Sequence, residues 1–205
     1  TERQPLPGDP RGYRMIDLGS NSAFEGSGLD PQRLRGADYD PGPTVEHHRD
    51  GRNEYLLSET VLSADLVVNL PKLKTHKKTG ITCCLKNLVG INGDKNWLPH
   101  HCEGPPGQGG DEFPDNTVAN GRERTCERAG QTAALSVPVA GPWLLRQMRR
   151  AGKRVLGDSD ATIRNGNWHG NDTCWRMALD LNRALLYGNA DGSWREAGDA
   201  KPYLA

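Results

Sequence analysis

The sequence predicts an α/β fold: a mostly parallel sheet flanked by helices, with long Gly/Pro-rich loops. Three observations predict it. The apolar run "DLVVNL" (65–70) ends in Pro71, as a buried strand does. "TGITCCLKNLVG" (79–90) follows as a helix, with Thr79 as N-cap and Gly90 as its stop. A longer helix begins at Asp172 or Thr173 and is stopped by "YGNADG". Helix and strand in alternation are the pattern of α/β architecture.

Each element has its own warrant. "YRMIDLG" (13–19) alternates and runs into the turn-rich "GSNSAFEGSG", so it reads as a strand leaving into a loop. Residues 25–53 carry Gly, Pro, Asp and Arg with few apolar groups and read as surface loop. Leu57, Val61 and Leu62 have helical spacing near Ser58 and predict a short helix before the 65–70 strand. In the 79–90 helix, Ile81, Leu85 and Leu88 share a face. Residues 92–121 form a long turn-rich loop, of a length that in compact domains is usually functional or disordered. Residues 121–154 hold eight Arg/Lys against two Glu, and Leu144, Met148 and Val155 recur near helical spacing: a basic amphipathic helix. In the last helix, Trp175, Ala178, Leu179, Asn182, Leu185 and Leu186 form the expected buried side. The domain reading is a linker at 1–12, one α/β domain at 13–192 and a tail at 193–205.

Bulk properties narrow the function classes. The 205 residues carry no net charge, which argues against a general nucleic-acid binder. No run approaches the roughly 18 apolar residues of a membrane span. Five cysteines, an odd number without CxxC, make a poor disulfide framework and carry no iron–sulfur motif. A reducing, cytoplasmic setting is therefore expected. The chain opens on "TERQPLPGDP" with no initiator Met, which reads as a fragment of a longer protein.

The chemistry concentrates in "LPKLKTHKKTGITCCLKNLVGI" (70–91). Residues 69–101 contain Lys72, Lys74, Lys77, Lys78, Lys86 and Lys95 against a single acid, Asp94. A positive segment beside glycine turns suits phosphate or carboxylate; a solvated basic strand end is the structural alternative. There is no GxxxxGK[ST], so it is not a Walker loop. His76 follows a strand and precedes a helix, where ligands collect in α/β sheets. Neighbouring lysines would keep it neutral, as a proton-transfer base requires. Lys86, if partly buried, can act as a nucleophile. His100, His101 and Cys102 are candidate ligands for a borderline metal, one of them more readily than all three, since adjacent side chains diverge. Asp111 and Glu112, in "GGDE", offer hard oxygen ligands to a metal, but read first as an exposed acidic turn. Lys77 and Lys78 look the most expendable lysines, and Cys83–Cys84 reads as helix packing.

"NLPKLKTHKKTGITCCLKNLVGINGDKNWLPHH", "GGDE" and "GNWHGNDTCWRMALDLNRALLYGNADG" together resemble the family named domain of unknown function 362, from about Tyr13 to Gly192. A more distant resemblance is to lactate racemases that use a nickel-pincer nucleotide. It implies His76 as proton-transfer base, Lys86 as covalent anchor of the cofactor, and His100 or His101 as the metal ligand. This chain has "TGITCCLKN" where the racemases have a glycine pair before the lysine, and it lacks a counterpart of their further catalytic histidine. The resemblance therefore implies a related site more than a shared reaction.

The resulting expectation is an enzyme for a small anionic molecule, with an anionic and in one version metal-containing cofactor. His76 and Lys86 are catalytic. Lys72, Lys74, Thr82, Asn87 and Trp97 hold or line the cofactor site, and His100 and His101 hold the metal. No specific nucleic acid and no membrane contact are expected. The alternative is a non-catalytic module whose basic helix, Arg146–Arg154, contacts a polyanion or membrane surface.

Overall fold

A computed structural model describes residues 8–36, 40–115, 165–189, 191–196 and 198–205. The expected basic helix and Cys126 lie outside the described residues. Strand β1 (Tyr13–Asp17) pairs antiparallel with β3 (Glu54–Ser58), with Ile16 opposite Tyr55. Leu57, expected in a helix, is therefore in this strand, where it pairs with Arg14 and is fully buried. Ser58 does cap the short helix α2 (Glu59–Leu62): its side chain accepts from the Val61 N–H. Asp9 reinforces that end, accepting from the Thr60 N–H at 3.1 Å and from the Thr60 hydroxyl at 2.6 Å. Part of the expected linker is thus packed against α2.

Residues 25–53 are more ordered than their composition suggests. They contribute β2 (Leu34–Arg35), antiparallel to β7 (His101–Cys102), and helix α1 (Gly42–His47). Leu34 and Thr44 are buried, and the Thr44 hydroxyl donates to the Asn96 carbonyl at 2.6 Å.

The 65–70 run forms only the two-residue strand β4 (Val67–Val68), parallel to β8 (Tyr203–Leu204). It is not a buried strand: Val68 is 55% exposed and Leu70 is 86% exposed. The segment expected as a tail closes back on the fold through β8. Lys201 there is buried, and its ammonium donates to the carbonyls of Leu62 at 2.8 Å and Ala64 at 2.5 Å, just beyond α2.

The expected helix at 79–90 is replaced over its first half by a hairpin. Strands β5 (Lys74–His76) and β6 (Gly80–Thr82) pair antiparallel, with His76 opposite Gly80. Gly80 takes φ 73°, a left-handed conformation that glycine adopts without strain, and the β-branched Ile81 and Thr82 favour extended backbone. Helix α3 is then only Cys84–Asn87, with Cys83 rather than Thr79 at its N-cap, and runs on as a 3-10 turn through Ile91. Ile81 and Leu85 are exposed, so only Leu88 of the expected stripe is core.

The long helix α4 (Thr173–Tyr187) is the fold's main scaffold. Its buried side is Cys174, Met177, Ala178, Leu181, Ala184 and Leu185, about one position away from the expected stripe; Trp175 is 42% exposed. Met177, Leu181 and Leu185 join Ile16, Tyr55, Leu57 and Leu98 in one core. Asp180 enters this core and is satisfied there by the Ser22 hydroxyl at 2.5 Å, the Ala23 N–H at 2.6 Å and the Tyr55 hydroxyl at 3.1 Å. A buried carboxylate left without such donors would cost several kcal/mol.

The architecture is mixed α/β. The described residues form four two-stranded ladders, three antiparallel and one parallel, rather than the expected mostly parallel sheet. Short strands after proline or glycine turns can pair in either direction, and the apolar content of 65–70 carries no directional information.

Candidate anion site

The β5–β6 hairpin sets the site. Its tip is Lys77–Thr79, and His76 orders it from below: the imidazole Nδ1 accepts from the N–H groups of Lys78 at 3.2 Å and Thr79 at 3.3 Å. A nitrogen that accepts from backbone N–H carries no proton, so neutral His76 holds its proton on Nε2. His76 is half-buried, and its pKa is lowered by burial first and then by the charges of Lys86, Lys78 and Lys74. It is neutral, as expected, but in this tautomer its outward nitrogen is a donor.

Lys78 turns inward from the tip. Its ammonium donates to the His100 carbonyl at 3.3 Å and to the Asn165 carbonyl. Burial is the main cause that brings its pKa down from 10.5 to about 8. Lys78, one of the two lysines expected to be most expendable, is therefore strongly altered by its surroundings. Sequence carries no signal that separates Lys78 from Lys77: the difference is the direction of two side chains at a hairpin tip. Lys72 and Lys74 are exposed, although the charge of Lys74 reaches His76.

His100 joins the same cluster. Its Nδ1 lies 2.8 Å from the Leu98 carbonyl, which can only accept, so Nδ1 is protonated and Nε2 keeps its lone pair. Burial, then Lys86, then Lys78 and His76 hold its pKa down to about 4 against the partial support of the Leu98 carbonyl. Lys86, on α3, is half-buried where α3 packs on α4; its side chain reaches the Cys174 thiol in the first turn of α4. His76, Lys78, Lys86 and His100 thus lie close enough for their charges to act on one another.

The other expected site residues lie around or away from this cluster. Thr82 is buried and its hydroxyl has no partner among the described residues. Asn87 is exposed and donates to Asn69 Oδ1 at 2.7 Å, which ties α3 to the end of β4. Trp97 instead stacks on His47, ring centroids 3.4 Å apart, and its carbonyl meets His48 Nε2 at 2.7 Å. His101 is buried beside Arg35 and Lys78, with Nδ1 unpaired and its pKa pushed well down by burial.

The acidic pair is not an exposed turn. Asp111 is 1% exposed and joins β7 to α4: Oδ1 accepts from the Cys102 N–H at 2.6 Å, and Oδ2 from the N–H groups of Asp172 at 2.8 Å and Thr173 at 2.6 Å. Asn171 Oδ1 takes the next donor, the Cys174 N–H, at 2.8 Å. Three N–H groups at the N-terminus of α4, those of Asp172, Thr173 and Cys174, are therefore already taken by the protein's own side chains. Glu112 is also buried and accepts from the Gly104 N–H at 3.0 Å. A groove of ≈ 560 Å³ runs beside the hairpin tip, between Lys77, Lys78 and Thr79 on one side and His169, Asp172 and Trp175 on the other. Lys78 lines it; His76, Lys86 and His100 do not.

No three His, Cys, Asp or Glu side chains among the described residues come together as a metal site. His100 offers one free nitrogen, but Lys78 and Lys86 beside it oppose a cation. Among the described residues this donor set does not make the expected metal site.

The family model described as Domain of unknown function (DUF362) matches residues 7–187. The chain belongs to this family. The match covers the β5–β6 hairpin, α3 and the whole of α4. No curated protein and no solved structure matches the chain. Among the described residues no helix is long and apolar enough to cross a membrane.

Proposed function

We propose that the hairpin–α3 cluster binds a small anionic molecule, a carboxylate or phosphate compound, and moves a proton to or from it. The observation that carries this is the convergence of two lysines, Lys78 and Lys86, with two imidazoles, His76 and His100. The nearest carboxylate of the β7–α4 junction, Asp111, is occupied with backbone donors and does not cancel the lysines by direct pairing. In this reading Lys86 and Lys78 hold the anion, and His76 donates from Nε2. His100 is the proton acceptor, because its Nε2 is the imidazole nitrogen with a free lone pair. An arriving anion offsets the two ammonium charges and so raises the basicity of His100.

Calorimetry with sulfate at low ionic strength tests the binding half. One charge-assisted hydrogen bond contributes about 1.5–3 kcal/mol, so Lys86→Gln should weaken sulfate about 10- to 100-fold. Equal affinity in wild type and variant would remove the site. The proton half is tested by NMR in D2O: deuterium should enter a bound small carboxylate with wild type and not with His100→Gln.

A further inference from the structure

Cys83 and Cys84 are adjacent in sequence, half-buried rather than core, and their sulfurs are 3.9 Å apart. Cys83 is extended, at φ −143°, and is the N-cap of α3; Cys84 is the first helical residue. Neighbouring thiols at this separation meet by side-chain rotation together with an adjustment of the backbone between them. The other described cysteines, Cys102 and Cys174, are buried.

We propose that Cys83 and Cys84 form a reversible dithiol–disulfide couple with low-molecular-weight disulfides such as oxidised glutathione. One cysteine thiolate attacks the glutathione disulfide, forming a mixed disulfide and releasing one glutathione. The neighbouring sulfur then attacks the protein sulfur of that mixed disulfide, closes the Cys83–Cys84 bond and releases the second glutathione. Two protein thiols and one oxidised glutathione give one protein disulfide and two reduced glutathiones, so hydrogens and electrons balance. Adjacent Cα atoms are about 3.8 Å apart across a trans peptide, below the span of about 4.4–6.8 Å that disulfides usually bridge. The eight-membered ring is therefore strained, which makes it readily reduced: a couple that cycles rather than a structural bridge. It closes at the start of the helix that carries Lys86, and so at the edge of the lysine–imidazole cluster.

The test is peptide mass spectrometry on the whole chain, and it needs no ligand. Trypsin releases residues 79–86 as a single peptide containing both cysteines. After treatment with oxidised glutathione, this peptide should be lighter by two hydrogen atoms and refuse iodoacetamide. Millimolar reduced glutathione should restore double alkylation. In Cys83→Ser, the lone Cys84 has no resolving partner, and a stable glutathione adduct should accumulate that wild type does not keep. Double alkylation after oxidation would overturn the proposal. So would a persistent adduct on wild type, or linkage of this peptide to another cysteine peptide or a second molecule.

Discussion

If the proposed site binds an anion through Lys78, the lowered pKa of this lysine makes the binding depend on pH in a window where an ordinary lysine is silent. Its value of about 8 follows mainly from burial of the ammonium beneath the hairpin tip. At pH 7 about ten-elevenths of Lys78 is charged; at pH 9 about one-eleventh is. If the anion requires the ammonium, sulfate affinity falls about tenfold across that range, which is about 1.4 kcal/mol. A lysine at its usual 10.5 would stay almost fully charged throughout. The other shifted groups of the cluster do not mimic the effect. His76 and His100 are already neutral above pH 7, and burial pushes the Cys174 thiol up. Sulfate does not titrate in this range, so calorimetry at pH 7, 8 and 9 at fixed ionic strength reads Lys78. The expected result is a tenfold loss in wild type and a flat profile in Lys78→Gln. An equal affinity at pH 7 and pH 9 in wild type would refute the argument that Lys78 contacts the anion.

Three other outcomes follow from the packing. Asp111→Asn keeps the shape but gives up one acceptor oxygen against three backbone donors, so urea unfolding should show a loss of about 3 kcal/mol, with the exposed Asp115→Asn near zero. His100 has its folded pKa lowered from 6.5 to about 4, so its contribution to stability is present above pH 6.5 and is lost as pH falls towards 4. The loss is up to about 3 kcal/mol, and unfolding midpoints for His100→Gln should be flatter over that window. Gly110→Ala would place a Cβ 2.5 Å from the Glu103 carbonyl oxygen and in conflict with that of Gly104, both backbone atoms, so thermal unfolding should show a loss of about 1–3 kcal/mol.

Local signals in the sequence were reliable where one residue's chemistry decides the structure. Ser58 caps a helix, Gly188 follows the end of α4, and the alternation of 13–17 is a strand. They failed where a short apolar run had to be assigned a partner. "DLVVNL" has the composition of a buried strand, yet only Val67–Val68 pair, because the pairing strand is supplied from residues 203–204, far along the chain. The 79–90 segment has helical spacing at Ile81, Leu85 and Leu88, but Gly80 and two β-branched residues hold its start in a hairpin. Of the residues in the proposed site, His76, Lys86 and His100 were legible as residue types. Lys78 and Asp111 were not, since their roles depend on side-chain direction and on which backbone donors a tertiary contact leaves open.

The placement of Asp111 explains why the cluster keeps its positive character. Asp111 and Glu112 both act on Lys78 and would, as free carboxylates, be natural partners for it. The fold instead commits the Asp111 oxygens to the Cys102, Asp172 and Thr173 N–H groups, which binds β7 to the start of α4. The Lys78 ammonium donates instead to two carbonyls, those of His100 and Asn165. Carbonyl oxygens satisfy an ammonium's hydrogens but do not cancel its charge, which is what the proposed anion-binding role of Lys78 requires, while its burial lowers its pKa. The same junction fixes the backbone of His100, whose carbonyl accepts from both Lys78 and Asn171. Structural capping and the chemistry of the site are therefore one arrangement: releasing Asp111 from α4 would both loosen the helix and give Lys78 a competing carboxylate.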